Sequence, residues 1–308
     1  MKLLFMGSAA FAVPSLAALV DSPHDILAVV TQPDKPAGRG RHITACPAAI
    51  AARSHGLILY QPRSVKKPDV IEHIRKLTPE LIVVVAYGKI LPKALLDLPL
   101  RGCINLHASL LPKYRGAAPI NWAIVNGESE TGVTTQLIGE ELDAGDILLS
   151  SSTLIGEEET APELHDRLAK TGAALLLQTI EGIESGTIKP TPQDHNKATF
   201  APLIKKPDGH IDWTLPARNI FNRIRGLNPW PGTFTTLEGK QLSIHKAAPD
   251  DTDHKSAPGT IIGSKGHLVV ACGQGSLYLL EVQLEGKRQM TAADFLHGHK
   301  VSQGMVLT

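Results

Sequence analysis

The strongest constraint on the fold is a rhythm in the first part of the chain, where short apolar runs alternate with amphipathic stretches. Apolar runs at residues 3–6, 26–31, 57–60 and 81–86 are separated by helical patterns near 12–20, 47–54 and 68–77. Strand and helix taking turns in this way is the signature of a parallel βαβ sheet with helices on its faces. The run Leu81, Ile82, Val83, Val84, Val85 has no polar face, as expected of a central strand buried on both sides. At the first strand–helix turn, Gly7-Ser8-Ala9 lacks the G-x-G-x-x-G pattern, and no acidic residue closes the next strand. The turn is therefore read as a close strand–helix approach rather than a dinucleotide site.

A chain of 308 residues exceeds what one core usually supports, so two domains are expected. Thr160-Ala161-Pro162-Glu163 has the capping-box pattern with proline at the first helical position. Leu164, Leu168, Leu175, Leu176, Ile180 and Ile183 follow at near-helical spacing, giving a long helix that ends near Ser185-Gly186. The first domain is placed at 1–188. Residues 189–206, with Pro190, Pro192 and Pro202 among polar residues, have linker composition. Residues 207–308 form the second domain. After a short helix near 216–225, its β-rich runs at 232–236, 241–245, 259–262, 268–271 and 276–283 are broken by glycine-containing turns. That pattern fits a small barrel, for which an OB-like topology is one closure.

Composition excludes more than it selects. With 43% hydrophobic and 20% charged residues the chain reads as an ordinary soluble protein. A net charge of +1 offers no global basis for nucleic-acid binding. Residues 1–185 nonetheless carry 17 Lys and Arg against 20 Asp and Glu, whereas 186–308 carry 14 against 10, so the basic excess lies in the part of the chain after the long helix. Cys46, Cys103 and Cys272 are widely spaced and form neither a disulfide framework nor a zinc motif, which points to a reducing, cytoplasmic setting. No run approaches the ~20 apolar residues that span a bilayer, and the N-terminal run is too short for a signal peptide.

Chemistry concentrates after residue 101. Asn105 and His107 are separated by one residue at the end of a short apolar run, so on a strand their side chains leave the same face and can address one atom. Asp143 lies in the polar turn Glu140-Glu141-Leu142-Asp143-Ala144-Gly145-Asp146, from which a return strand could bring it beside the imidazole. An amide, an imidazole and a carboxylate suit direct acyl transfer, in which donors stabilise a growing oxyanion. Ser109 is too near His107, and lacks a G-x-S-x-G elbow, for covalent catalysis. Taken singly, the three residues are more often a turn-former, a surface or packed histidine and a cap; only their combination points to catalysis. A second unusual segment, residues 32–41, places Lys35, Arg39 and Arg41 among prolines and glycines directly after the second strand. It reads as a mobile, extended loop, either phosphate-seeking or simply exposed.

The stretch from Asn105 to Ile120, with Ser109-Leu110-Leu111-Pro112 inside it and Leu142-Asp143-Ala144-Gly145-Asp146 behind it, resembles the 10-formyltetrahydrofolate-dependent formyltransferases. Residues 32–41, Val84-Val85-Ala86-Tyr87-Gly88 and Asn228-Pro229-Trp230-Pro231-Gly232 are most similar to the methionyl-tRNA formyltransferases within that superfamily. The resemblance implies a Rossmann-like catalytic domain with an OB-like C-terminal barrel. It implies Asn105, His107 and Asp143 as catalytic residues, Ser109, Leu110, Leu111 and Pro112 as folate contacts, and Arg39 as a contact to the tRNA acceptor end. The implied donor is 10-formyltetrahydrofolate, the acceptor is methionyl initiator tRNA, no metal or membrane is involved, and the protein is a monomer. The alternative is a formyltransferase acting on a small-molecule amine such as an amino-sugar nucleotide.

Overall fold

The computed structural model describes residues 1–37, 42–252, 254–263 and 266–308. Contacts divide the chain into two units: Met1–Pro119 with Glu130–Leu154 and His165–Ala201, and Ile120–Ser129 with Ile155–Leu164 and Pro202–Thr308.

The first unit is built on seven strands: β1 (Lys2–Gly7), β2 (Asp25–Val30), β3 (Leu59–Tyr60), β4 (Leu81–Val85), β5 (Cys103–His107), β6 (Glu130–Leu137) and β7 (Ile147–Leu154). Their order across the sheet is β7-β6-β5-β4-β1-β2-β3. The five strands β3-β2-β1-β4-β5 are parallel, while β6 and β7 add on antiparallel beyond β5. All of β4 is buried, as its unbroken apolar run requires. Its alternate residues divide between two faces. Ile82 and Val84 pack with Leu4, Met6, Ala28 and Val30 against Val70 and Ile74 of the helix Pro68–Lys76. The sheet crosses from β1 to β2 through the helix Ala12–Val20. Gly7 allows this tight turn, because a Cβ there would lie 2.8 Å from the Ala12 Cβ and 2.9 Å from the Val85 carbonyl oxygen.

Two segments carry more structure than composition suggests. Residues 32–41, read as an extended loop, include the strand Lys35–Ala37, which pairs antiparallel with His42–Thr44. The β-branched Ile43 and Thr44 favour that pairing. Arg39 itself lies outside the described residues. Within 189–206, Thr191 bridges to Ile147, and Phe200–Ala201 pairs in parallel with Arg115–Gly116.

The second unit holds an antiparallel curled sheet of β8 (Thr233–Leu237), β9 (Lys240–Asp250), β10 (Ile261–Gly263), β11 (Leu268–Ala271), β12 (Ser276–Leu284) and β13 (Met290–Thr291). Its path runs β8-β9-β12-β11-β10, with β13 on β12. Residues 304–308 span the open side. Leu307 N donates to Gly259 O at 2.8 Å and Ile261 N to Met305 O at 2.8 Å, while Thr308 and Thr236 exchange backbone bonds across to β8. Ile220 and Ile224 of the helix Ala217–Leu227 join Trp213, Leu242, Ile244, Leu279 and Phe295 in the core that this curl encloses.

Candidate active site

The end of β5 presents Asn105 and His107 from one face of the strand, two residues apart. The register sets their neighbours: Asn105 lies opposite Gln136 and His107 opposite Thr134 on β6. Asp143 sits in the turn between β6 and β7 with φ +49°, a left-handed conformation that aspartate tolerates better than most residues. This turn folds the carboxylate back over the strand end. Asp143 Oδ1 accepts from Asn105 Nδ2 at 3.5 Å and from Gln136 Nε2 at 3.2 Å; Oδ2 accepts from Gly116 N at 2.9 Å and lies 3.7 Å from His107 Nδ1. The structure thus brings Asp143 to the pair, Asn105 and His107, that strand spacing put on one face.

His107 is 6% exposed, and its Nε2 lies 2.9 Å from the Tyr114 carbonyl oxygen. A carbonyl only accepts, so Nε2 carries a proton and Nδ1 is the ring nitrogen turned toward Asp143. The Tyr114 carbonyl, rather than the carboxylate, makes the short orienting bond. Tyr114 holds that carbonyl in place with φ +59° and a bond from its own N to Thr199 Oγ1 at 2.9 Å.

The turn after β5 is held internally. Ser109 is fully buried, and its hydroxyl donates to Lys113 O at 2.6 Å. Thr134 Oγ1 donates to Ser109 O at 2.7 Å and accepts from Leu111 N at 3.2 Å. The Leu111-Pro112 peptide is cis. Leu110 and Pro112 keep partial exposure, while Leu111 is buried.

Further polar groups lie at the carboxyl ends of the central strands, where open α/β sheets form their ligand crevice. Gln32 N donates to Ser8 Oγ at 3.0 Å and Gln32 Nε2 to Tyr87 O at 2.8 Å. Gln61 Nε2 bonds Asp34 Oδ1 at 2.8 Å, next to the strand Lys35–Ala37. The Gln61 hydrogen bond, helped by Arg53, keeps the half-buried Asp34 carboxyl below the usual carboxylate range. Among the described residues no cluster of three or more His, Cys, Asp or Glu could hold a metal, and no helix is long and apolar enough to cross a membrane.

The formyl transferase family model matches residues 1–180, and the formyl transferase C-terminal domain model matches residues 203–300. A methionyl-tRNA formyltransferase of Caldanaerobacter subterraneus subsp. tengcongensis is 50% identical over 308 residues, covering 100% of both chains. The chain belongs to the methionyl-tRNA formyltransferase family. A second member, from Solibacter usitatus, is 50% identical over 303 residues, 98% of this chain and 97% of its own. The fold recurs more distantly in HypX from Aquifex aeolicus, solved in complex with tetrahydrofolic acid, with a TM-score of 0.64 and 17% identity. That match spans 99% of this chain but 50% of HypX.

Against this family, four groups around Asp143 and His107 escaped sequence reasoning. Gln136 was findable as the residue facing Asn105 once a return strand was assumed. Tyr114 and Gly116 act through backbone atoms, which no side-chain pattern announces. Gln193, described below, lies in a stretch whose composition suggested only a linker.

Proposed function

We propose that the protein transfers the formyl group of 10-formyltetrahydrofolate to the α-amino group of methionyl initiator tRNA. The observation that carries this reading is the convergence of Asn105 Nδ2, His107 Nδ1 and the Asp143 carboxylate at one strand end. The chain around them is half identical, end to end, to methionyl-tRNA formyltransferases. The neutral amine attacks the formyl carbon; the new C–N bond forms as the bond to folate nitrogen breaks, and the amine proton ends on that nitrogen. Asn105 and protonated His107, through Nδ1, donate to the developing oxyanion. Asp143 balances the imidazolium charge and passes the amine proton on through water.

Leu110, Leu111 and Pro112 supply the apolar wall for the folate, whereas Ser109 spends its hydroxyl on shaping the turn. Arg39, in the segment 32–41, contacts the tRNA acceptor end, for which a planar guanidinium is well suited. We take 1–188 as the catalytic domain, 189–206 as the connection and 207–308 as the tRNA-binding domain of a monomeric cytoplasmic enzyme.

The test offers 10-formyltetrahydrofolate with charged initiator tRNA, with uncharged tRNA and with free methionine. Formylation confined to the charged tRNA is expected; equal use of free amines would overturn the acceptor assignment. Asn105→Ala should lower the rate on the order of a hundredfold or more, with the circular-dichroism spectrum unchanged.

A further inference from the structure

Gln193 stands 50 positions beyond Asp143 in sequence, in the segment that follows the long helix Ala161–Ser185, yet its side chain reaches the catalytic turn. It is 5% exposed. Its Nε2 faces three oxygens: Gly145 O at 2.7 Å, Asp143 O at 3.0 Å and Gln136 Oε1 at 3.1 Å. Its Oε1 faces the Arg115 guanidinium, accepting from Nη2 at 2.6 Å and from Nε at 3.1 Å.

The partners leave this amide one orientation. Arg115 has only donors, and the carbonyls of Asp143 and Gly145 only accept, so a flipped amide would lose its bonds to all three. The constraint propagates outward. Because Gln193 donates to Gln136 Oε1, the Gln136 amide must turn its own Nε2 to Asp143 Oδ1, where it lies at 3.2 Å. Arg115, Gln193 and Gln136 are 4%, 5% and 2% exposed, so no bulk water competes for these bonds. The same Nε2 that orients Gln136 also clamps the backbone of the Asp143–Gly145 turn.

We propose that Gln193 is a positioning residue for the formyl-transfer reaction: through Gln136 and the turn backbone it fixes the Asp143 carboxylate against His107. This rests on the catalytic reading of Asp143 given above. Gln193→Met keeps the length but removes both donors and the acceptor. Gln193→Glu keeps the size and the acceptor for Arg115 while turning an oxygen toward the three oxygens that Nε2 now serves.

Both variants should lose about 10- to 100-fold in kcat, the scale set by ångström-level misplacement in an active site. KM for the folate donor and for tRNA should stay within about twofold. The deciding measurement is a double-mutant cycle with Asp143→Asn. If Gln193 acts through Asp143, Gln193→Met should cost no more than about twofold in the Asp143→Asn background. An undiminished loss there, or wild-type kcat in folded Gln193→Met and Gln193→Glu, overturns the proposal while leaving Asp143 catalytic. A wild-type rate for Asp143→Asn alone would instead overturn the catalytic reading itself. Should Gln193→Met fail to fold, Gln193→Glu carries the same cycle, with thermal melts confirming the native state.

Discussion

At the scale of single residues, the site depends on backbone atoms held in unusual conformations. Gly116 has φ +117°, its N donates to Asp143 Oδ2, and a Cβ there would lie 2.8 Å from the Ala201 carbonyl oxygen. Gly116→Ala should therefore press apart the Arg115–Gly116 and Phe200–Ala201 pair and withdraw a donor from Asp143. We expect a loss of about 1–3 kcal/mol in stability, measured by denaturant unfolding, together with a lower kcat. Cys103 and Cys272 illustrate burial acting on reactivity. Burial pushes both thiols up from 9.0 to about 12, with Asp97 adding to the effect at Cys103. At pH 8 the reactive thiolate is then about one part in ten thousand. Alkylation of the native protein at that pH should spare both, and unfolding should expose them; mass spectrometry of the labelled peptides reads this directly. The sign for stability follows. A protonated form favoured by the fold stabilises it below pH 9, and that contribution fades as pH rises toward 12. Asn105 and His107 were legible at this scale because a strand's period of two places them on one face. The bond between His107 and the Tyr114 carbonyl was not, because it depends on the path of the main chain.

At the scale of elements, the informative unit is the turn 109–113 lying over β6. Thr134 is fully buried and uses one hydroxyl to join Ser109 O and Leu111 N. Thr134→Val keeps the shape and deletes both bonds. It should cost about 1–3 kcal/mol of stability, the penalty of stranding buried polar groups. It should also raise KM for the folate donor more than it lowers kcat, since Asn105 and His107 remain on their strand; steady-state kinetics separate the two effects. The parallel strands were readable from their apolar runs, and the long helix from its capping box, where Glu163 Oε2 indeed accepts from Thr160 N at 2.8 Å. The hairpin at Lys35–Ala37 and His42–Thr44 was hidden by prolines and glycines that dominate a local reading. The pairing of Phe200–Ala201 with Arg115–Gly116 joins residues 85 apart, beyond the reach of any periodicity.

At the scale of the molecule, sequence and structure agree on two architectures in one chain, a parallel-dominated sheet followed by a curled antiparallel one. What sequence left open was how the second sheet manages its edges. Its outer strands, β8 and β10, are both met by residues 304–308, with Thr235 Oγ1 adding a bond to Thr308 O at 3.0 Å. Removing residues 304–308 should unpair Thr236 on β8 and Ile261 on β10, while Phe234 keeps its bridge to His210. We expect a lower melting temperature and concentration-dependent aggregation of the truncated protein, measured by calorimetry and light scattering.

That closing segment also sets a schedule. A ribosome delivers the chain from its first residue, so every group around Asp143, up to Gln193 and Ala201, emerges well before residue 304. The first sheet and its polar network can assemble while the second still waits for the piece that covers its edges. During that interval strands rich in valine, leucine and isoleucine are exposed to neighbouring chains, at the stage of synthesis when chaperones matter most. The five residues 304–308 are thus the last piece the second sheet needs, and their late arrival sets how long its edges at Thr236 and Ile261 stay open.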